Sequence, residues 1–322
     1  MNAVKIAILD DYQRVALALA DWQSLPAHSE LHVFDTPARD EDELVQRLAP
    51  FDVVVAMRER TAFPASVIER LPNLRLLAST GLRNAAIDVD ACRRRGITVC
   101  GSRGARNGLA ATAETAWALI LALHKRLVRS HVALCEGRWQ PELAQSLDGK
   151  VLGIVGLGNI GGCIARIGQA FGMEVIAWSP HLTDERARQA GVRRVDKADL
   201  FGRADVVSLH LVLSDSTRGI VSGPELAGMR RSAYLVNTAR AGLVDETALI
   251  ESLQQQRIGG AGLDVFWQEP LSPGHPLCSL DNVALTPHLG YATPENLGAF
   301  YAGVVQNIKA WMEAGEVVPL SA

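Results

Sequence analysis

Four ionisable side chains stand where predicted β-strands end, and their types suit proton exchange on an anionic substrate. They are His210, Arg240, Asp264 and His288, which follow the runs VVSL, YLVNTA, IGGAGL and VALTP. Arginine offers a carboxylate a fixed pair of donors, and histidine exchanges protons near neutral pH. Each residue alone could simply end a strand in water. The set favours a ligand site, because open α/β sheets bind ligands beyond the carboxyl ends of their strands.

A carboxylate can complete such an acid–base group. If Glu269 pairs with His288, it fixes the tautomer of the imidazole and favours its protonated form. His275 lies in the segment Pro-Gly-His-Pro, which is typical of a loop, so we predict no catalytic role for it.

A glycine-rich segment, KVLGIVGLGNIGG, places Gly156, Gly158 and Gly161 between a buried run and residues with helical spacing. In a nucleotide site one glycine makes a tight turn, the second lets backbone N–H groups approach a pyrophosphate, and the third lets helix pack on strand. The helix N-terminus then stabilises the phosphate charge. Glycine clusters can also merely turn a corner, but a position between strand and helix favours nucleotide binding.

The residue after the next predicted strand bears on the choice of nucleotide. Dinucleotide sites for NAD usually carry an acid there, whereas this chain has Ser179 and no carboxylate before Asp184. The hydroxyl can bond a ribose oxygen or a phosphate, which leaves NAD and NADP open. No arginine immediately follows Ser179, although His181 can add a cationic contact when protonated. We therefore expect relaxed choice, with NADPH accepted within about tenfold of NADH.

The strands that must position these residues form two series along the chain. Within each series, amphipathic stretches separate one strand from the next. Because the runs lack polar alternation, they predict parallel sheets covered on both faces, and hence two doubly wound α/β units. Longer helices are expected at residues 109–127 and 294–314. The predicted strands are residues 4–9, 31–34, 53–56, 74–77, 97–99, 151–155, 174–178, 206–209, 233–237, 258–264 and 283–285.

Composition narrows the class of protein. A length of 322 residues suggests two domains, and 48% hydrophobic with 21% charged residues is ordinary globular usage. The net charge of -3 gives no attraction to nucleic acid, and no apolar run approaches the ~20 residues that span a membrane. The five cysteines are widely spaced without a CxxC pair, so we expect neither disulfides nor a metal site. With no signal-peptide layout at the start, a cytoplasmic location is expected.

The motifs GLGNIGG, NTARAGLVDE, GLDVFWQEP and TPHLGY, in this order, resemble those of the D-isomer-specific 2-hydroxyacid dehydrogenases, and the likeness covers nearly the whole chain. The resemblance implies a Rossmann cofactor domain, residues 102–290, inserted into a flavodoxin-like substrate domain, residues 1–101 and 291–322. It also implies a homodimer, with helix 109–127 crossing between the domains and helping to build the interface.

The resemblance implies a role for each candidate residue. Arg240 would bind the substrate carboxylate and 2-oxo group, and Glu269 would orient His288, the acid/base. The backbone of Gly81, Leu82 and Arg83 would cradle the carboxylate. The predicted cofactor-binding residues are Gly156, Gly158, Asn159, Ile160, Gly161, Ser179, His210, Thr238 and Asp264, the last against the nicotinamide carboxamide.

Arg83 departs from the small residues usual in that family's loop, and it either adds a second cation for an acidic substrate or points to solvent. The function implied is an oxidoreductase that interconverts a small 2-oxo acid and a D-2-hydroxy acid by hydride transfer with NAD or NADP, like glyoxylate and hydroxypyruvate reductases. The alternatives are a phosphoglycerate-, formate- or phosphonate-type dehydrogenase, and a non-catalytic NAD(H)-sensing scaffold of the co-repressor type. Neither nucleic acid nor membrane is an expected partner.

Overall fold

The computed structural model describes residues 3–106 and 108–321. The strands are β1 (Val4–Ile8), β2 (Ser29–Val33), β3 (Val53–Ala56), β4 (Leu76–Thr80), β5 (Thr98–Ser102), β6 (Val151–Val155), β7 (Glu174–Trp178), β8 (Arg193–Arg194), β9 (Val206–Leu209), β10 (Tyr234–Asn237), β11 (Gly260–Leu263) and β12 (Val283–Leu285).

Helices separate most of these strands. The α-helices are α1 (Ala16–Leu19), α2 (Glu41–Leu48), α3 (Ala65–Ile68), α4 (Val89–Arg94), α5 (Gly108–His124), α6 (Leu127–Cys135), α7 (Asn159–Ala170), α8 (Asp184–Gln189), α9 (Lys197–Arg203), α10 (Gly223–Gly228), α11 (Glu246–Gln254) and α12 (Pro294–Met312). Short 3₁₀ helices cover Trp22–Ser24, Ala241–Leu243 and Pro276–Ser279. Every predicted strand is present, and β8 is an addition.

The chain divides into two compact units. The first comprises the residues up to Gly108 together with those from Thr293 onward, and the second comprises Leu109–Ala292. The second unit is thus inserted in the sequence of the first, because the chain leaves the first unit after β5 and returns to it with α12.

The first unit is built on a five-stranded parallel sheet with the strand order β2-β1-β3-β4-β5, which is the flavodoxin-like order. All residues of β3 and β4 are buried, as expected for apolar strands of a covered parallel sheet. Helix α12 packs against β4, β5 and α1, and its Tyr301 ring lies 6.0 Å from the ring of Trp22 in the 3₁₀ helix after α1.

The second unit contains a seven-stranded parallel sheet with the order β12-β11-β10-β9-β6-β7-β8. Counted from β8, the first six strands have the doubly wound Rossmann order, and β12 is added at the far edge. The direction in which successive strands are added to the sheet changes between β6 and β9. Ligands bind at such a reversal, beyond the carboxyl ends of the strands. Both units therefore confirm the predicted fold class of doubly wound α/β architecture.

The helix predicted over residues 109–127 is present as α5, which ends at His124, three residues earlier than predicted. Arg126 then adopts a left-handed conformation with φ of 54°, so α6 begins as a separate helix at Leu127. Helix α5 has buried side chains on most sides, among them Trp117, Ile120 and Leu123, which explains its lack of polar alternation. Within residues 3–106 and 108–321, no helix combines the length and apolar character needed to cross a membrane.

Candidate functional site

A histidine–carboxylate pair lies beyond the end of β12. Nδ1 of His288 is 2.7 Å from Oε2 of Glu269, and Oε1 of the same carboxylate accepts the backbone N–H of Phe266 at 2.9 Å. A proton on Nδ1 that donates to Glu269 leaves Nε2 as the atom that can exchange a proton with a substrate. The structure thus brings two of the three predicted catalytic residues into direct contact.

The electrostatics of Glu269 favour its charged form. Burial by itself raises the pKa of this carboxyl, but the hydrogen bond with His288 and the charge of the imidazolium lower it. The Phe266 amide and the positive charge of Arg240 act in the same direction, so the pKa of Glu269 lies below its ordinary value. An ionised Glu269 stabilises protonated His288 in return.

Arg240, the third predicted catalytic residue, is half-buried in the turn after β10. The buried Asn237 holds this turn, because its amide nitrogen donates to the Arg240 carbonyl at 2.9 Å and its oxygen accepts the N–H of Ala239 at 3.0 Å. Sequence reasoning missed this contribution of Asn237, although a polar residue that ends the buried run YLVN was a signal for it.

Asp264 holds the loop that carries His288. Its Oδ1 accepts the Thr286 hydroxyl and the N–H of Leu289, and its Oδ2 accepts the N–H of Gly290, both amide contacts being 2.8 Å. The side chain is fully buried, and burial raises its pKa despite these three donors and the nearby charge of His288. Sequence reasoning missed this positioning role, and the predicted contact with a nicotinamide carboxamide stays a prediction.

The glycine loop between β6 and α7 has the shape that a dinucleotide requires. Gly156 has φ of 104°, and a Cβ there would lie 2.7 Å from the backbone carbon of His210, so the loop passes against the end of β9. A Cβ on Gly161 would lie 2.2 Å from the Gly156 carbonyl oxygen, which explains the close packing of α7. A Cβ on Gly158 would meet no atom within 4 Å, so the surface above the start of α7 is open. These are the three glycine roles of a pyrophosphate-binding turn.

Other predicted cofactor residues lie at the same edge of the sheet. Thr238 follows β10, and its buried hydroxyl has no hydrogen-bond partner in the described part of the chain. His210 follows β9, where its Nε2 is 2.8 Å from the Ser208 hydroxyl, and burial lowers its pKa to about 4. Half-buried Ser179 follows β7, and Asn159 and Ile160 begin α7.

The predicted substrate loop lies in the first unit, after β4. Gly81 has φ of 94°, and a Cβ there would lie 2.3 Å from Nη1 of Arg58, so this guanidinium covers the loop. The Arg58 carbonyl accepts the Asn84 side-chain amide at 2.6 Å, which ties the loops after β3 and β4 together. Arg83 is exposed, and Leu82 is half-buried.

Comparison with known proteins assigns the family. Residues 117–290 match the family model of the D-isomer specific 2-hydroxyacid dehydrogenase, NAD binding domain. A hydroxypyruvate reductase of Thermotoga maritima is 38% identical over 260 residues, which are 80% of this chain and 83% of that protein. The chain therefore belongs to the D-2-hydroxyacid dehydrogenases, a family of oxidoreductases that act on the CH–OH group of donors with NAD.

Two further comparisons are with phosphoglycerate enzymes. A solved structure of a phosphoglycerate oxidoreductase from Vibrio cholerae o395 is 38% identical, covers 97% of this chain and 100% of that chain, and has a TM-score of 0.91. A D-3-phosphoglycerate dehydrogenase of Archaeoglobus fulgidus is 34% identical over 284 residues, which are 87% of this chain but 53% of that protein. The chain spans about half the length of this last relative.

Proposed function

We propose that the protein interconverts a small 2-oxo acid and the corresponding D-2-hydroxy acid, in the manner of glyoxylate and hydroxypyruvate reductases. The observation that carries the proposal is the Glu269–His288 pair, whose Nδ1 contact leaves Nε2 for a substrate, in the unit that also contains Arg240 and the glycine loop. The hydroxypyruvate reductase likeness over most of both chains supports the substrate class.

The side chains of this unit supply binding and proton transfer. In the reducing direction, protonated His288 gives the proton on Nε2 to the oxygen at C2 of the substrate. Arg240 binds the substrate carboxylate with its paired donors and stabilises negative charge that develops on the oxygen. Glu269 keeps the imidazole oriented and favours its protonated form. When bound, a nicotinamide cofactor would supply the hydride for C2, and hydride and proton together balance the two-electron reduction.

The cofactor would be held by the second unit. The turn at Gly156, Gly158 and Gly161 suits the pyrophosphate, and the unsatisfied Thr238 hydroxyl suits a further polar contact. The second unit then acts as the cofactor domain, whereas the first unit, with the loop Gly81–Arg83, acts as the substrate domain.

Arg58 supports one alternative substrate class. Its guanidinium covers Gly81, so a substrate whose carboxylate binds at this loop would place a second anionic group within reach of a cation. A phosphorylated 2-oxo acid, as for a phosphoglycerate-type dehydrogenase, would use that charge.

A substrate panel tests the proposal. We expect the highest kcat/KM with glyoxylate or hydroxypyruvate when pyruvate and 3-phosphohydroxypyruvate are assayed alongside, each with NADH and with NADPH. A preference for the phosphorylated acid of more than about tenfold would establish the alternative class instead. Binding of a reduced cofactor without reduction of any 2-oxo acid would favour the sensing scaffold.

We also propose a cytoplasmic homodimer. Helix α6 and the segment after it expose large apolar side chains, which is typical of a protein interface. The cytoplasmic location rests on the sequence, whose five cysteines are widely spaced without a CxxC pair. Light scattering at micromolar concentration should give twice the chain mass, and the double variant Trp139→Ser/Leu143→Ser should give the monomer. The exposed side chains are Leu127, Val128, Val132, Leu134, Trp139 and Leu143.

A further inference from the structure

The segment after β7 folds back onto the glycine loop. Leu182 and Ala187 are buried in the same hydrophobic cluster as Leu157, which lies within that loop. The Thr183 hydroxyl accepts the N–H of Arg186 at 3.3 Å and so begins α8. As a result, Nη2 of Arg186 donates to the Leu157 carbonyl at 3.2 Å, although the two residues are far apart in the sequence.

The charge of Arg186 is not neutralised by the acids on its own helix. Asp184 pairs with Arg194 at 3.2 Å, and Glu185 pairs with Arg188 at 2.8 Å. Throughout residues 3–106 and 108–321, no carboxylate lies within ion-pair distance of the Arg186 guanidinium. The contact with the Leu157 carbonyl uses one of the five N–H donors of Arg186 and does not neutralise its positive charge. Arg186 can therefore bind an anion without breaking an ion pair.

This cation lies on the loop that borders the end of β7. The N–H of Gly156 donates to the Trp178 carbonyl at 2.9 Å, so the glycine loop is directly bonded to the residue before Ser179. In a Rossmann sheet the adenosine ribose lies at the end of this strand, where an acid selects the free 2′-hydroxyl of NAD and an arginine accepts the 2′-phosphate of NADP. Here Ser179 at the strand end has a hydroxyl, and Arg186 of α8 is bonded to the neighbouring glycine loop.

We propose that Arg186 and Ser179 bind the 2′-phosphate of NADPH, so that the protein binds NADPH at least as tightly as NADH. This inference rests on the proposed function, because it needs the dinucleotide site. It sharpens the expectation of relaxed choice, which considered Ser179 and His181 but not Arg186. Helix α8 brings an arginine from later in the chain to the glycine loop, whose Gly156 is bonded to Trp178, the residue before Ser179.

Equilibrium binding tests the assignment without turnover. The full chain is titrated with NADPH and NADH by nicotinamide fluorescence, and with 2′,5′-ADP and 5′-ADP by calorimetry. We expect wild type to bind 2′,5′-ADP about tenfold or more tightly than 5′-ADP. Arg186→Gln should weaken NADPH and 2′,5′-ADP about tenfold and change NADH and 5′-ADP less than twofold. Ser179→Asp should likewise weaken NADPH selectively, through charge repulsion.

Arg188→Gln is the matched control, because Arg188 lies on the same short helix and pairs with Glu185. It should leave all four dissociation constants unchanged, and thermal melting should show that each variant is folded. Equal weakening of NADH and NADPH by Arg186→Gln would overturn the inference, since it would mean that Arg186 only supports the glycine loop. A wild type that binds NADH a thousandfold more tightly than NADPH would also overturn it. Binding of neither dinucleotide would instead overturn the proposed function.

Discussion

Nδ1 of His288 and Oε2 of Glu269 lie 2.7 Å apart, and this contact leaves the other ring nitrogen of His288 for a substrate. A second pair in the same unit shows why the free nitrogen matters. Nε2 of His275 is 3.0 Å from Oε1 of Glu246, but its Nδ1 also accepts the N–H of Leu277 at 3.3 Å. Both nitrogens of His275 are therefore engaged, so this pair stabilises a loop and offers no proton to a substrate.

Replacement of the two histidines should separate chemistry from structure. His288→Ala should lower kcat for reduction by ~10²–10⁴-fold, because a general acid contributes about that factor. His275→Ala is the control and should keep kcat within about twofold, with some loss of thermal stability. Steady-state kinetics at saturating 2-oxo acid and reduced cofactor measure both. Full activity of His288→Ala would show that the proposed mechanism is wrong.

Glu269→Gln should change the pH profile of reduction. The variant keeps an oxygen for the Nδ1 proton but loses the negative charge that favours protonated His288. Because the pKa of Glu269 lies below its ordinary value, wild type keeps this charge across the neutral range. The pH above which kcat/KM for reduction declines should therefore be lower in the variant, as measured from about pH 5 to pH 9. An unshifted profile would contradict an electrostatic role for Glu269.

Arg240→Lys should show whether the paired donors of arginine are needed in addition to its charge. Lysine keeps the charge but binds a carboxylate as a point. We expect kcat/KM to fall by ~10²–10³-fold in Arg240→Ala, with both KM and kcat affected, and by less in Arg240→Lys. The exposed Arg231, which precedes β10 at the other edge of the sheet, provides the control Arg231→Ala. Similar losses in Arg240→Ala and Arg231→Ala would exclude a specific role.

Asp264→Asn should weaken the loop that carries His288. Asp264 accepts hydrogen bonds from two backbone N–H groups, whereas the NH₂ of an asparagine would turn a donor toward one of them. The free energy of unfolding should therefore fall by about 1–3 kcal/mol. Thr286→Val removes a single hydrogen bond to Asp264 and should cost ~1 kcal/mol. Urea unfolding measures stability, and kcat should fall in the same order. If Asp264→Asn leaves both unchanged, the carboxylate does not position the loop.

His210 should make the protein less stable on acidification. Its pKa is about 4 in the folded protein, against an ordinary value of 6.5, because burial disfavours the imidazolium. Between these values the unfolded chain binds a proton that the folded chain does not, so stability falls as pH drops from about 6.5 to about 4. The shift corresponds to about 3 kcal/mol at most.

His210→Gln should remove this part of the pH dependence of the unfolding free energy, as measured by urea unfolding at several pH values. The control His181→Gln changes an exposed histidine and should leave the dependence intact. Parallel pH curves for wild type and His210→Gln would contradict the assignment.

Local sequence patterns were enough to predict the fold class of this protein and its glycine-rich turn. The apolar runs without polar alternation identified parallel strands, and the glycine spacing after β6 identified the turn at Gly156, Gly158 and Gly161. Since strands of a parallel sheet end at one edge, the order of residues along the chain also predicted that Arg240 and His288 lie at the same edge, whereas the contact of Glu269 with His288 was only conditional. Strand β8 escaped prediction because its two residues, Arg193 and Arg194, are charged and exposed.

Only the tertiary structure decided which distant side chains support that site. Arg186 reaches Leu157 because α8 folds back on the glycine loop, and Arg58 covers Gly81 because β3 and β4 are neighbours in their sheet. The three hydrogen bonds of Asp264 join β11 to the loop after β12. Sequence periodicity predicts which face of a helix or strand a residue occupies. These contacts depend instead on how segments that are distant in the sequence pack together, so no local pattern predicts them.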